Sequence, residues 1–235
     1  TSFLSVISKS AFAFALMRVV YEVYPALHEQ AVNMLVLLML LTIVIGNLFA
    51  LRQQNMKRFL AYSSISQVGF ILLAVIAGPK LGLPAMIFFV IIYAFSNLAA
   101  FGVLAAVTTA NGKERIEEMN GFYVNNKMLG WMMALALFSL AGIPPTAGFV
   151  GKLFLIMSGA GALKIGIILI VALNLVVSLY YYLRVVRAIF MERSAEPMPA
   201  IQSGPVNRFA LIICALGIVL TGGITWLYEY VSSLV

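Results

Sequence analysis

The residues with the clearest chemical potential are two lysines, Lys9 and Lys152, each several positions inside an apolar run with no acidic neighbour in sequence. A charged lysine at the centre of a bilayer helix costs about 2.5–3.5 kcal/mol on insertion scales, so such residues tend to face a watered interior. A lysine held between its charged and neutral forms is what proton relay requires. The alternative is snorkelling, with the four-carbon stem lying along the helix and the ammonium at the headgroups. About ten residues, roughly 15 Å of helical rise, separate Lys9 from the cytoplasmic end of its helix, which makes the stem look too short.

Lys152 closes the segment SLAGIPPTAGFVGK, Ser139 to Lys152, in which Gly142, Pro144 and Pro145 interrupt an otherwise hydrophobic stretch. Proline lacks an N–H and pushes the preceding residue out of the α region, so a break is expected from Gly142 to Thr146. Broken backbone at membrane depth is tolerated only against protein or a water-filled cavity. Thr146 is expected to cap the restarted half-helix, whose positive end would disfavour an ammonium on Lys152. A plain proline kink with a structural lysine is the competing reading.

Other polar residues recur at helical spacing: Ser63 with Gln67, Tyr93 with Asn97, and Asn174, Ser178 and Tyr181 at i, i+4 and i+7. Each set shares a helix face. Such faces either glue neighbouring helices together or line a hydrated path between the lysines. Gly102, Ala105 and Ala106 read only as close packing.

These residues must be positioned by membrane helices. Of 235 residues, 63% are hydrophobic and only 10% charged. A soluble domain is about a quarter charged, so a soluble enzyme is excluded. Apolar runs of about 20 residues can cross the hydrocarbon core. Seven are found, at 2–24, 31–51, 60–78, 84–109, 127–160, 163–190 and 207–232, punctuated by Gly78-Pro79, Asn111-Gly112 and the segment EPMPAIQSGP. Without strand-like alternation, the fold class is all-α, a polytopic membrane helix bundle with one helix broken at Gly142 to Pro145. The opening residues lack a basic n-region and a cleavage site, so they do not read as a signal peptide. A start in mid-helix without Met suggests a fragment or a split subunit.

Arg52, Lys57, Arg58, Lys113, Arg115, Lys127, Arg184, Arg187, Arg193 and Arg208 fall at one end of these spans, against Lys80, Lys164 and Arg18 at the other. That bias makes the first end cytoplasmic, or its matrix or stromal equivalent, and puts the C-terminus opposite. Trp226, Tyr228 and Tyr230 are expected in an interfacial aromatic belt. The basic residues form no single tract, so nucleic acid is not an expected partner. There is no Asp, one His (His28) and one Cys (Cys214), too few ligands for a zinc, haem or iron–sulfur site. Nor is there a Walker or dinucleotide motif, so redox chemistry would belong to another subunit.

TSFLSVISKSAFAF, NLFALRQQNMKRFLAYSSISQVGF, SLAGIPPTAGFVGKLFL and SLYYYLRV together resemble the antiporter-like subunit N of respiratory complex I, from its eighth helix onward. The resemblance spans the whole chain but only the C-terminal half of that fourteen-helix subunit. It implies a proton-translocating module of an NADH:quinone oxidoreductase, with inverted five-helix repeats. Residues 1–24 would end a first repeat, 31–190 would form the second, and 207–232 would be a C-terminal helix. In the family, the lysine matching Lys9 sits on a central hydrophilic axis and the one matching Lys152 serves the exit side. Lysine at position 152 favours the N-type branch over the M-type, which has glutamate. Gln67 stands where the family often has histidine, so a relay through that helix would rely on water.

The resemblance also implies that this chain binds no cofactor or metal, with NADH, flavin, iron–sulfur clusters and quinone on other subunits. Partners would be other membrane subunits of complex I, including a polypeptide supplying the N-terminal helices, and the lipid of an energy-converting membrane. The alternatives are a subunit of a cation/proton antiporter or membrane-bound hydrogenase, or a non-pumping scaffold.

Overall fold

A computed structural model describes residues 4–23, 27–194, 198–202, 204–223 and 226–234. The chain begins with a π-helical turn at Leu4–Ser8, continues as α1 (Lys9–Arg18), and widens again to a π turn at Val19–Val23. Helices α2 (His28–Arg52), α3 (Met56–Ala77) and α4 (Pro79–Asn111) follow, joined by turns of only a few residues. A 3-10 turn at Glu117–Met119 and a short α5 (Phe122–Asn125) lead to α6 (Lys127–Ala141), α7 (Ala147–Ala160) and α8 (Ile165–Phe190). The chain closes with α9 (Pro205–Gly223) and α10 (Trp226–Leu234). No strand occurs among the described residues; the only bridge among them pairs Asn55 with Arg115.

Five helices (α2, α3, α4, α8 and α9) are long and apolar enough to span a membrane, and α6 and α7 are shorter apolar helices in series. The chain is a multi-pass membrane protein, with three differences from the expected spans, the first being that 2–24 is described as α1 between two π-helical turns and not as one long helix. α4 starts at Pro79, earlier than expected, because that proline occupies the first helical turn, where its missing N–H is not needed. The last expected span, 207–232, is described as α9 and α10, and its junction lies outside the described residues.

α3 is the central element. It packs against α1, α2, α4 and α7, and its buried residues run almost unbroken from Ser63 to Ile76. α4 rests on α3, α6, α7 and α9, while α8 closes the bundle against α2 and α6. Burial of most of the α3 surface weakens the usual amphipathic contrast, so its buried polar residues bond either their own helix or a neighbouring one.

The basic residues gather as the charge pattern predicts. At one end, Lys57 pairs with Glu114, and Arg184 donates to Leu51 O (2.9 Å) and Gln53 O (2.7 Å). Nearby, Asn126 Nδ2 donates to Pro199 O and its Oδ1 accepts from Ile201 N, fastening the segment between α8 and α9. The other end holds the exposed Arg18–Glu22 pair and the hydrogen bond from Tyr21 OH to Ile76 O.

Tyr228 corrects the expected aromatic belt. Its ring stacks on Phe154 at 3.9 Å and meets Phe88 edge-on at 6.2 Å, so it packs inward, while Tyr230 is half exposed. Two apolar rings facing inward offer the tyrosine more contact than a headgroup layer would. The Trp226 side chain lies outside the described residues.

Candidate functional site: two buried lysines joined across α3

The helix carrying Lys152 breaks where the two prolines predict. α6 ends at Ala141 with Gly142 in the left-handed region (φ 83°), where a side chain would be strained. Gly142 N bonds Phe138 O and Ser139 O, and Ile143 N bonds Phe138 O, a Schellman-type ending. Those bonds leave the carbonyls of Leu140 and Ala141 free of helical partners. α7 restarts at Ala147, pressed against the end of α6 because Gly148 lets its backbone lie on the Ser139 carbonyl, where a Cβ would collide.

This arrangement determines what Lys152 touches. Only 3% exposed, it donates from Nζ to Leu140 O at 2.6 Å and Ala141 O at 3.3 Å, and the ammonium lies 5.2 Å from the centre of the Phe70 ring. The expected repulsion from the start of α7 is therefore corrected. Lys152 sits in the second turn of α7 and reaches back to the carbonyl end of α6, the end of a helix that attracts cations. Thr146 does not cap α7 with its side chain either; its hydroxyl donates to Ile143 O at 2.7 Å, because the preceding turn offers a nearer acceptor.

Lys9 is half-buried and points inward, against the snorkelling reading: Nζ donates to Ser64 Oγ at 2.6 Å. Ser64 spends its own proton on Ala61 O, leaving its lone pairs for the ammonium. One helical turn along α3, Gln67 Nε2 faces Leu140 O at 3.3 Å, the same carbonyl that receives Lys152. Ser64 and Gln67 thus connect the two lysine sites through one stretch of α3. Among the described residues the ion pairs are Arg18–Glu22, Lys57–Glu114, Arg115–Glu117 and Arg187–Glu192; none includes Lys9 or Lys152.

A second set of polar contacts branches from Gln67. Its Nε2 also donates to Tyr182 OH at 3.3 Å, and Tyr182 packs against Tyr181 with ring centres 4.7 Å apart. Tyr181 OH donates to Asn47 Oδ1 at 3.0 Å and lies 3.5 Å from Ser66 Oγ. Asn47 Nδ2 in turn donates to Asn174 O and Oδ1 at 3.0 and 3.1 Å. Gln67 Oε1 is buried with no protein donor, the kind of acceptor a buried water satisfies.

The residues singled out by spacing therefore divide. Gln67, Asn174 and Tyr181 bridge helices. Ser63 and Ser178 are buried but donate to carbonyls of their own helices, Leu60 O and Leu175 O. Asn97 Nδ2 reaches Tyr93 OH at 3.4 Å along α4. Missed by spacing were Asn47, Ser64, Ser66 and Tyr182, along with the Ser96–Ser139 hydrogen bond of 2.7 Å between α4 and α6. Asn47, the one amide in the apolar stretch 34–51 of α2, was the available signal, since burying an unpaired amide is costly. No group of three or more His, Cys, Asp or Glu able to hold a metal occurs among the described residues.

Fold and site together define a multi-pass membrane helix bundle with one broken helix, and comparison with known proteins gives its family. Residues 1–179 match the family described as NADH:quinone oxidoreductase/Mrp antiporter, TM, and the chain belongs to it. It is 48% identical over 236 residues to NADH-quinone oxidoreductase subunit N of Azobacteroides pseudotrichonymphae, covering all of this chain and 49% of that relative. The chain thus spans about half the length of the curated relatives it matches. It is similar to a chain of respiratory complex I from Thermus thermophilus with bound aureothin, at 32% identity and a TM-score of 0.71, covering 82% of this chain and 44% of that one. A chain of the Mrp complex from Dietzia shares the fold, with a TM-score of 0.85 at 20% identity, covering 99% of this chain and 52% of that one.

Proposed function

We propose that this chain carries part of a proton-translocating membrane module of an NADH:quinone oxidoreductase. Lys9 and Lys152 are its protonatable groups, and the polar residues around α3 order the water between them. The observation that carries this reading is the convergence on α3. Ser64 receives Lys9, and Gln67, one turn along, shares the Leu140 carbonyl with Lys152. A cation without a carboxylate responds strongly to a change in nearby charge, so an electrostatic or conformational pulse from quinone reduction elsewhere alters its proton affinity.

In this reading the chain binds no cofactor. NADH, flavin, iron–sulfur clusters and quinone belong to other subunits, and another polypeptide or segment supplies the remaining antiporter-like helices. Residues 1–24 close a first repeat, 31–190 form the second, and 207–232 serve as a C-terminal element. The end rich in basic residues faces the cytoplasm or its equivalent, which puts the C-terminus on the opposite side. Identity of 48% to a subunit N favours NADH oxidation over an antiporter or hydrogenase setting, where the supporting likeness at 20% identity is one of fold.

Two measurements test the reading. Native-gel separation followed by mass spectrometry is expected to find the chain with NADH-oxidising subunits; co-migration with antiporter or hydrogenase subunits would replace the enzyme assignment. Lys152→Met in the intact complex is expected to lower the protons moved per NADH oxidised. Unchanged turnover together with unchanged proton stoichiometry would remove Lys152 from the relay and leave the scaffold reading.

A further inference from the structure

Arg184 lies three residues beyond Tyr181 on α8, one helical turn nearer the end rich in basic residues. Its Nη1 and Nη2 donate to Leu51 O and Gln53 O, at 2.9 and 2.7 Å, so the guanidinium seats itself on the carbonyl end of α2. That is the favourable end of a helix for a cation, and neutral carbonyls hold the group without cancelling its charge. Arg184 is in none of the four ion pairs found among the described residues.

Arg184 also lines a cavity of about 210 Å³, whose wall combines the polar Gln53, Gln54, Glu117, Asn120 and Glu192 with the apolar Ile116 and Ala188. Arg184 and Asn120 both line this cavity, and each keeps a buried polar atom without a protein partner: Arg184 Nε, a donor, and Asn120 Oδ1, an acceptor. The volume admits several water molecules at about 30 Å³ each. The two carboxylates on the cavity are engaged by exposed arginines, Glu117 by Arg115 and Glu192 by Arg187, each at 3.5 Å.

One turn inward begins the network Tyr181, Tyr182 and Gln67 that ends on the carbonyl holding Lys152. Phe59, fully buried, packs edge-on against both tyrosine rings at 5.5 and 5.6 Å. A cavity large enough for water and the polar network one turn along α8 thus both adjoin a fixed positive charge, with an apolar ring packed on the network.

We propose that Arg184 is an electrostatic gate. Its guanidinium, backed by Phe59, bars protons in the Gln53–Glu192 cavity from the tyrosine network, so that Lys152 does not exchange protons with this end of the bundle. The gate rests on the proton-relay reading above, because a seal matters only where a proton path exists. A fixed cation raises the energy of an approaching proton by direct repulsion, an effect that persists through several ångströms of protein interior. Without the seal, a relay opening at the far face would short-circuit.

The test uses the intact complex in sealed vesicles under an imposed pH gradient, without NADH, after native-gel migration has established assembly. Arg184→Gln is expected to speed gradient decay at least about tenfold, the size one unit charge about 3 Å from the path produces even at the dielectric of water, with potassium flux unchanged. Vesicles as tight as the wild type's, or leaking protons and potassium alike, overturn the gate. Where glutamine blocks assembly, Arg184→His gives an independent reading: tight at acidic pH with the imidazolium charged, reversibly leaky at alkaline pH. A leak indifferent to pH, or none at all, overturns the gate. The double variant Arg184→Gln/Lys152→Met separates the two claims. Loss of the leak supports a path ending at Lys152, whereas a persisting leak upholds the gate and removes Lys152 as the end of the path.

Discussion

The two lysines are held by different means. Lys9 is half-buried and rests on one side-chain hydroxyl, a contact that a rotation of Ser64 or Lys9 can break. Lys152 is almost wholly enclosed and rests on two backbone carbonyls fixed by the ending of α6, beside an aromatic ring. The first site is adjustable; the second is built into the main chain. The difference teaches that a helix break inside a membrane protein does more than bend: it turns carbonyls that would be spent on the helix into acceptors for a buried cation.

The contrast yields graded expectations. The largest effect belongs to the lysines themselves. Lys152→Met is expected to suppress coupled proton movement in the intact complex more than Lys9→Met, since the enclosed site has fewer routes by which water can replace the amine. Equal losses in proton stoichiometry would erase the functional distinction. Thermal stability is not expected to fall with Lys152→Met, because an apolar side chain of similar length removes a buried charge, and the Leu140 carbonyl keeps Gln67 as a donor.

Next is the scaffold of the Lys152 site. Gly148→Ala would drive a Cβ into the Ser139 carbonyl, and backbone cannot yield as a side-chain tip does. A loss of roughly 3 kcal/mol, the upper range for overpacking, is expected in denaturation of the detergent-solubilised protein, and a wild-type midpoint would show that α6 and α7 do not pack this closely. Ser64→Ala should cost less, about 2 kcal/mol for a hydrogen bond to a charged group, and should affect Lys9-dependent proton movement while leaving Lys152 untouched. An equal effect at both lysines in a double-mutant comparison would make the two sites one unit.

The smallest effect lies outside the membrane. Hydrogen bonds from Lys57 and Asn55 hold the Glu114 carboxyl below its usual range. A lowered value in the folded state means the contribution to stability is complete above the ordinary glutamate range of about 4.3 and is lost as pH falls through the lowered value. Comparing wild type with Glu114→Gln across that range should show a slight acid-side difference confined to this loop. Because the pair is largely solvated, salt should diminish it.

Much of this architecture is legible in the order of the residues. Gly142, Pro144 and Pro145 predict the break because proline's missing N–H and steric demands act within a few residues, and Gly78-Pro79 ends one helix and starts the next for the same local reason. The direction of Lys152 is not legible. It depends on the backbone turning at Gly142 so that α7 lies against the end of α6, bringing position 152 to carbonyls 11 and 12 residues earlier. Helical spacing likewise identifies faces but not partners. Ser63 and Gln67 share a face of α3, yet one bonds its own helix while the other spans to α6 and α8.

By itself, then, the sequence determined that this chain is a bundle of membrane helices, that one of them breaks, and that two lysines lie within. Hydrophobic length, proline stereochemistry and the cost of burying charge are properties of short segments and need no knowledge of neighbours. Only the tertiary structure decided that α3 touches both lysine sites, that Asn47 and Tyr182 extend the polar network, and that Arg184 lines a cavity one turn from that network. Those facts depend on contacts between residues as many as 134 positions apart, which no local pattern encodes, because inside a bundle each polar group bonds to whatever the packing of whole helices brings within reach.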